Sequence, residues 1–277
     1  MNKTGKRLLT FFVGIPLILL IVYCDYMNHL PLHITIGVMA IIAANELYNM
    51  LSPKVPLFSK KVVVILSSLL PYITYLFILA GMSLELTPWF FLIDCLILMG
   101  LECFHAKQFE NSVAKIAYSM LIIFYTGFLI TFLSRLTSLE NSKIVITLFL
   151  LNVFICDSLA WFFGILFGKG TRGLIAASPN KSLVGFIGGI ASSIGASIGL
   201  KFLFPDVIVT SYTKLILISF LTALASIVGD LIESVFKRSC NVKDSGNIIP
   251  GRGGVLDSID SVVVSAPVFY ICYHFWF

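Results

Sequence analysis

The sequence predicts an all-α, polytopic membrane protein with about nine transmembrane helices and a cytoplasmic N-terminus. Three observations predict it. Of 277 residues, 58% are hydrophobic and only 12% charged, with a mean hydropathy of +0.99, whereas a soluble domain carries roughly 25% charged residues. Long stretches hold almost no charge, and a helix of about 20 apolar residues crosses a bilayer core. The short segments between those stretches hold nearly all the charge. A soluble globule is excluded.

Taken in order, the candidate spans lie near residues 8–24, 31–45, 62–82, 86–102, 113–134, 144–166, 183–204, 212–232 and 255–276. The first follows Lys3, Lys6 and Arg7 and so resembles a signal peptide, but its apolar run is long and no small-x-small cleavage site comes before Asp25. It is read as a span. Lys and Arg gather in the cytoplasmic loops of membrane proteins. With the N-terminus inside, 15 of the 19 bases fall on the cytoplasmic side, leaving only Arg135, Lys143, Lys201 and Lys214 outside. That split supports both the orientation and the odd number of spans. It also turns the loops after the sixth and eighth spans toward the cytoplasm, where nucleotides are.

The longest polar stretch, roughly 229–254, is too short to bury a core of its own, so residues 1–277 read as a single membrane domain. Residues 1–140 form the less motif-rich N-terminal helices, and 141–277 the catalytic helices and loops. The net charge of +5 comes from bases scattered over many loops, which form no continuous basic face for nucleic acid. Six cysteines include no C-x-x-C pair, and four histidines no H-E-x-x-H, so neither a disulfide framework nor a zinc site is indicated. Asp94 stands alone inside the fourth span, where a buried acid is a functional candidate by default or a protonated, satisfied group. Small residues four apart at Gly164/Gly168, Gly185/Gly189 and Gly195/Gly199 predict close helix packing.

Chemistry concentrates between Gly229 and Ser261, which hold five acids, four bases and five glycines. Asp230 and Glu233 stand three apart, so on a helix they share a face. Asp257 and Asp260 have the same spacing and would repel each other strongly without a cation between them. Asp230, Asp257 and Asp260, meeting at the membrane boundary, are therefore the expected ligands of a divalent ion. Mg²⁺ takes a few carboxylates together with water and substrate phosphates, which makes a phosphate-bearing substrate the matching expectation. Lys237, Arg238, Lys243 and Arg252 supply the positive charge for further phosphate oxygens. Pro250-Gly251-Arg252-Gly253-Gly254, just before the ninth span, would offer backbone N–H groups and a helix dipole to an anion. The loop after the sixth span adds Lys169, Arg172, Ser178, Lys181 and Ser182. It is not a P-loop, because the spacing between its glycines and the residue after the lysine are both wrong. Asp157, within the sixth span, either faces the same cavity or bonds a neighbouring helix.

These strings resemble a known family. Ser234-Val-Phe-Lys237-Arg238, Lys243-Asp244, Pro250-Gly-Arg-Gly-Gly254 and Leu256-Asp257-Ser-Ile-Asp260-Ser261 are similar to the C-terminal signature of phosphatidate cytidylyltransferases, also called CDP-diacylglycerol synthases. Asp157-Ser-Leu-Ala-Trp-Phe-Phe-Gly164, Phe167-Gly-Lys and Ser178-Pro-Asn-Lys181-Ser182 resemble that family's earlier motif, and Asn45-Glu46-Leu-Tyr48 is a weaker echo. Arg252 stands where the family usually has a histidine, Ser258 where it usually has an arginine, and Leu183-Val184 where Trp-Glu is common.

The resemblance implies transfer of the cytidylyl group of CTP to phosphatidic acid, giving CDP-diacylglycerol and pyrophosphate with Mg²⁺ as cofactor. It implies catalytic roles for Asp257, Asp260, Lys237 and Lys243. Substrate binding falls to Ser178, Lys181, Ser234, Arg238, Asp244, Arg252, Gly253 and Gly254, and metal binding to Asp230, Asp257 and Asp260. It also implies an integral inner-membrane protein with its site facing the cytoplasm, CTP, phosphatidic acid and membrane lipid as partners, no nucleic acid, and a homodimer. The rival readings are a transporter or flippase for an anionic solute and a weakly active homologue. A CDP-alcohol phosphotransferase is set aside, because its D-G-x-x-A-R string is absent.

Overall fold

The computed structural model describes residues 3–276, with side chains from Phe12 onward, so the side chains of Lys3, Lys6 and Arg7 lie outside the described residues. The described residues form helices α1 (Lys3–Tyr23), α2 (Leu30–Leu51), α3 (Lys60–Leu79), α4 (Leu86–His105), α5 (Ser112–Ile123), α6 (Thr131–Leu136), α7 (Ser142–Phe167), α8 (Leu183–Leu203), α9 (Tyr212–Ser239) and α10 (Leu256–Trp276). A π-helical turn, Phe124–Phe128, joins α5 toward α6, and among the described residues β-pairing is limited to isolated bridges. Among the described residues, eight stretches are long and apolar enough to cross a membrane, and the apolar part of α1, Phe12–Tyr23, is a shorter ninth. The protein is an integral membrane protein built of helices.

Two helices outrun their predicted spans. α2 continues to Leu51 rather than ending at residue 45, and α9 continues to Ser239 rather than 232. In both, polar residues end the hydropathy signal without ending the helix, because Glu, Lys, Arg and Leu are all good helix formers.

The chain divides into two compact units: residues 1–138 with 240–258, and residues 139–239 with 259–277. In the first unit, α3 packs against the π-helical turn through polar and small residues. The hydroxyls of Ser67 and Thr126 lie 2.9 Å apart, and a Cβ on Gly127 would stand 2.6 Å from the Ser67 carbonyl oxygen, so the π-helical turn needs glycine there. At the other end of this unit the His33 ring stacks on Tyr75, with ring centroids 4.1 Å apart, and its Nε2 lies 3.1 Å from the Thr137 hydroxyl. The Tyr75 hydroxyl donates to the carbonyl of Met27, the first of three consecutive left-handed residues, Met27, Asn28 and His29. Asp94 is buried on α4, away from the charged motifs in sequence, and the fold assigns it no role.

In the second unit, α7 and α8 approach closely through the predicted glycines. A Cβ on Gly185 would stand 2.6 Å from the Ala160 carbonyl oxygen, and one on Gly189 2.7 Å from that of Cys156. Gly195 and Gly199, expected to act likewise, meet nothing within 4 Å. Deeper in, the side-chain oxygen of Asn152 accepts hydrogen bonds from Ser193 at 2.6 Å and Ser197 at 3.2 Å. Cys156, Ala223 and Ile227 form a buried core against Phe186, Ile190 and Leu231.

Candidate active site

The residues singled out by the sequence fall into two groups, one in each unit. In the first unit the organising residue is Glu46. The first N–H groups of a helix have no partner within it, and the dipole makes that end attractive to negative charge. At the start of α10 the negative charge comes from the protein itself. Glu46 Oε1 accepts from the Val255 N–H at 3.0 Å, and its Oε2 from the Leu256 N–H at 2.8 Å and from the Ser245 hydroxyl at 3.2 Å. A second carboxylate sits beside it. Asp257 Oδ2 accepts from the Ser245 N–H at 2.8 Å, the Ser245 hydroxyl at 2.9 Å and the Gly254 N–H at 2.8 Å. A hydroxyl has one proton to donate, so Ser245 serves one carboxylate at a time.

The glycines of this segment have a reason that differs from the expected one. A Cβ on Gly254 would stand 2.5 Å from Glu46 Oε2, and one on Gly253, whose φ is +116°, 2.6 Å from Asp257 Oδ2. They admit two carboxylates against the backbone. The N–H groups of Gly253 and Gly254, expected to face a substrate anion, have partners within the segment. The Gly253 N–H goes to the Ile249 carbonyl at 3.0 Å, and that of Gly254 to Asp257. What the segment offers outward is the exposed side chains of Lys243, Asp244 and Arg252.

The group in the second unit follows from the unbroken helix of α9. Ser226, Asp230, Glu233 and Lys237 recur at helical spacing and share one face. The Ser226 hydroxyl donates to Asp157 Oδ1 of α7 at 3.0 Å. Lys181 forms an ion pair with Asp230, and Lys237 one with the fully buried Glu233. Asp260, on α10, is buried, and its Oδ1 accepts the N–H of Ser261 at 2.7 Å. Asp230, Glu233 and Asp157 are its neighbouring carboxyl groups. Gly229 permits this approach, since a Cβ there would meet the Asp260 carbonyl oxygen at 2.6 Å. Asp157, open between two readings in the sequence, thus joins the carboxylates.

The loop between α7 and α8 is tied at both ends. The Arg172 guanidinium donates to the Gly164 carbonyl at 2.9 Å, and Arg238 Nε to that of Ala177 at 3.3 Å. Ser182 caps α8, its hydroxyl accepting the Gly185 N–H at 3.1 Å. The carbonyl of Ser178 accepts the Lys181 N–H at 3.1 Å, a turn that places Lys181 for its pairing with Asp230. Ser234 is buried on α9.

Four carboxylates face two lysines in the second unit, an excess of hard oxygen donors that suits a small divalent cation. Among the described residues, no group of three His, Cys, Asp or Glu side chains is already converged on one metal position. The three aspartates expected to be ligands have different surroundings. Asp230 and Asp260 belong to the carboxylate group, and Asp257 Oδ2 is taken up by Ser245 and Gly254. Sequence reasoning gave Glu46 no site role and missed Ser245 and Ser226. The Asn45-Glu46 string was the only available signal for Glu46, and nothing marked the two serines.

Buried and half-buried acids paired with lysines on or beside apolar helices define a class: an integral membrane protein with a charged site. The family follows from comparison. Residues 5–276 match the cytidylyltransferase family, and the chain belongs to it. It is 34% identical over 186 residues to a phosphatidate cytidylyltransferase of Rickettsia typhi, covering 65% of this chain and 79% of that protein. Against the phosphatidate cytidylyltransferases of Thermotoga maritima and Haemophilus influenzae the identities are 36% over 162 residues and 38% over 163 residues. Those alignments cover 57% of this chain and 58% and 56% of the relatives.

Proposed function

We propose that this protein transfers the cytidylyl group of CTP to phosphatidic acid, producing CDP-diacylglycerol and pyrophosphate. The observation that carries the reading is the family match over residues 5–276 in a chain whose motif lysines, Lys181 and Lys237, pair with buried or half-buried acids. Phosphatidic acid keeps its acyl chains in hydrocarbon, which accounts for an enzyme made of membrane helices. An oxygen of the lipid phosphate bonds to the α-phosphorus of CTP. The bond from that phosphorus to the bridging oxygen breaks, and its electron pair departs with pyrophosphate. The phosphate is ionised at neutral pH, so the residues need only neutralise and align charge.

Lys181 and Lys237 are the bases proposed to take substrate phosphate oxygens, exchanging their present carboxylate partners for phosphate as the substrates enter. Lys243 and Arg252, exposed on the segment before α10, are proposed as further bases for substrate phosphates, with Arg238, Ser178, Ser234 and Asp244 as further proposed contacts. Asp230 and Asp260 are the residues assigned to Mg²⁺, which when bound supplies positive charge to the nucleotide phosphates and the leaving pyrophosphate. Asp257 acts from the first turn of α10, where the N–H groups of Ser245 and Gly254 donate to it. The distribution of Lys and Arg supports a cytoplasmic N-terminus, an inner-membrane location and a site facing the cytoplasm. A homodimer is proposed on the family resemblance.

Purified protein is incubated with cytidine-labelled CTP, Mg²⁺ and phosphatidic acid. Label moving into the lipid, with one pyrophosphate released per lipid labelled, is the expected result. No incorporation at any Mg²⁺ concentration overturns the reading in favour of transport or an inactive homologue.

A further inference from the structure

Glu46 lies 199 residues from Ser245 and 210 from Leu256, yet its carboxylate accepts from Ser245, Val255 and Leu256. It is 5% exposed, and Gly246 and Gly254 leave it the space it occupies. We propose that Glu46 is a positioning residue for the proposed cytidylyltransfer: it anchors the segment between α9 and α10, and so aims the exposed Lys243, Asp244 and Arg252 and sets Asp257 in place. The inference rests on the proposed function for the identity of the reaction. The anchoring itself does not depend on it.

The physical case lies in the number of donors and the charge. Residues 240–255 contain little regular structure, and the bridge between Ile249 and Gly253 is the segment's own ladder pairing. A loop of this length has many conformations, and fixing it requires contacts from outside. Glu46 supplies a full negative charge where α10 presents unpartnered N–H groups and the positive end of its dipole. Charge-assisted hydrogen bonds are about twice as strong as neutral ones, and here two backbone donors and one hydroxyl converge on a single buried carboxylate. Ser245 then links Glu46 to Asp257, lying 3.2 Å from one carboxylate and 2.9 Å from the other. The exposed bases on this segment have no such anchor of their own. Their direction is inherited from the backbone that Glu46 holds.

Glutamine at position 46 keeps the shape but replaces one acceptor oxygen with a donor, which then faces a backbone N–H or the Ser245 hydroxyl. Aspartate keeps the charge on a shorter stem. The experiment compares wild type, Glu46→Gln, Glu46→Asp and Ser245→Ala in detergent, by limited trypsin digestion and by initial rates. Trypsin cuts after Lys243 and Arg252 within the segment, and after Arg172 in the α7–α8 loop, which serves as the control. Losing a charge-assisted bond shifts a local opening equilibrium by about 10- to 100-fold. Glu46→Gln is expected to speed cleavage after Lys243 and Arg252 by that factor, to leave cleavage after Arg172 unchanged, and to lower kcat/KM for CTP at least about tenfold. Glu46→Asp is expected to recover part of both effects, and Ser245→Ala to give a smaller version of each.

Unchanged cleavage of the segment, or cleavage that rises equally at Arg172, overturns the anchor. Faster cleavage of the segment with undiminished turnover overturns the positioning role. An inactive wild type overturns the proposed reaction instead, and the digestion still decides the anchor.

Discussion

Lys237 forms an ion pair with Glu233 one turn earlier on α9, and Glu233 is completely buried. The pair gives Lys237 two separable jobs, charge compensation within the protein and, in the proposed reaction, neutralisation of phosphate. Removing one member of a buried pair costs about 3–5 kcal/mol, whereas replacing both with neutral groups of similar size is often harmless. Lys237→Met is therefore expected to lower both Tm and turnover. Lys237→Met combined with Glu233→Gln should regain most of the Tm while staying inactive. Thermal unfolding in detergent, read beside the cytidylyl-transfer assay, checks this, and a double variant that regains turnover would remove Lys237 from the chemistry.

Asp230 is half-buried and pairs with Lys181, so its substitution tests the metal assignment with less damage to the fold. Loss of a ligand or its support typically weakens a metal site by about 10- to 100-fold. Asp230→Asn should raise the Mg²⁺ concentration for half-maximal activity by that factor, with Tm close to wild type. The measurement is a Mg²⁺ titration of initial rate at saturating CTP. A lower maximal rate at unchanged Mg²⁺ dependence would move Asp230 from metal binding to the orientation of Lys181.

Two helical glycines with opposite surroundings predict opposite effects. On Gly127 a methyl would stand 2.6 Å from the Ser67 carbonyl oxygen and 2.9 Å from the Ser67 Cα, both backbone atoms that cannot swing aside. Forcing extra volume into such a contact costs about 1–3 kcal/mol. On Gly195 a methyl meets nothing within 4 Å, and alanine is favoured over glycine inside a helix by about 1 kcal/mol. Gly127→Ala should lower Tm and Gly195→Ala hold or raise it, as measured by thermal unfolding of each variant in one detergent. A fall for Gly195→Ala would mean that its open face is covered by a second copy of the chain.

The contrast between those glycines shows what could be read in advance. Hydropathy located the eight long apolar stretches because a bilayer imposes one length on each helix that crosses it. It stopped short at residue 232 because Asp230, Glu233 and Lys237 look like a loop to a hydropathy window, while at helical spacing they make one face of α9. Four-residue glycine spacing marked close packing at Gly185 and Gly189, but could not distinguish them from Gly195 and Gly199, whose neighbours are set by tertiary structure. The dense motif segment stood out in the sequence. The partner that holds it did not, because the bonds from Glu46 to Val255 and Leu256 span more than 200 residues and follow no local pattern.

Arg252 and Ser258 are two of the positions where the sequence departs from the pattern it resembles. Arg252 is exposed on the segment anchored by Glu46, and Ser258 sits in the first turn of α10, its hydroxyl 3.3 Å from the Gly254 carbonyl oxygen. In the proposed reaction, arginine at 252 adds a base for the substrate phosphates and serine at 258 withholds one, which amounts to moving a charge along one short stretch of chain. If the move is compensatory, Arg252→His alone should lower kcat/KM by removing a permanent charge, on the order of tenfold for a lost phosphate contact. Ser258→Arg alone should crowd like charges and change KM for CTP. The double variant should then be more active than the two single effects predict, an interaction of about 0.5–3 kcal/mol for residues that share a partner. Initial rates of the four proteins over a range of CTP concentrations measure that interaction, and effects that simply add would show that the two bases reach different phosphates.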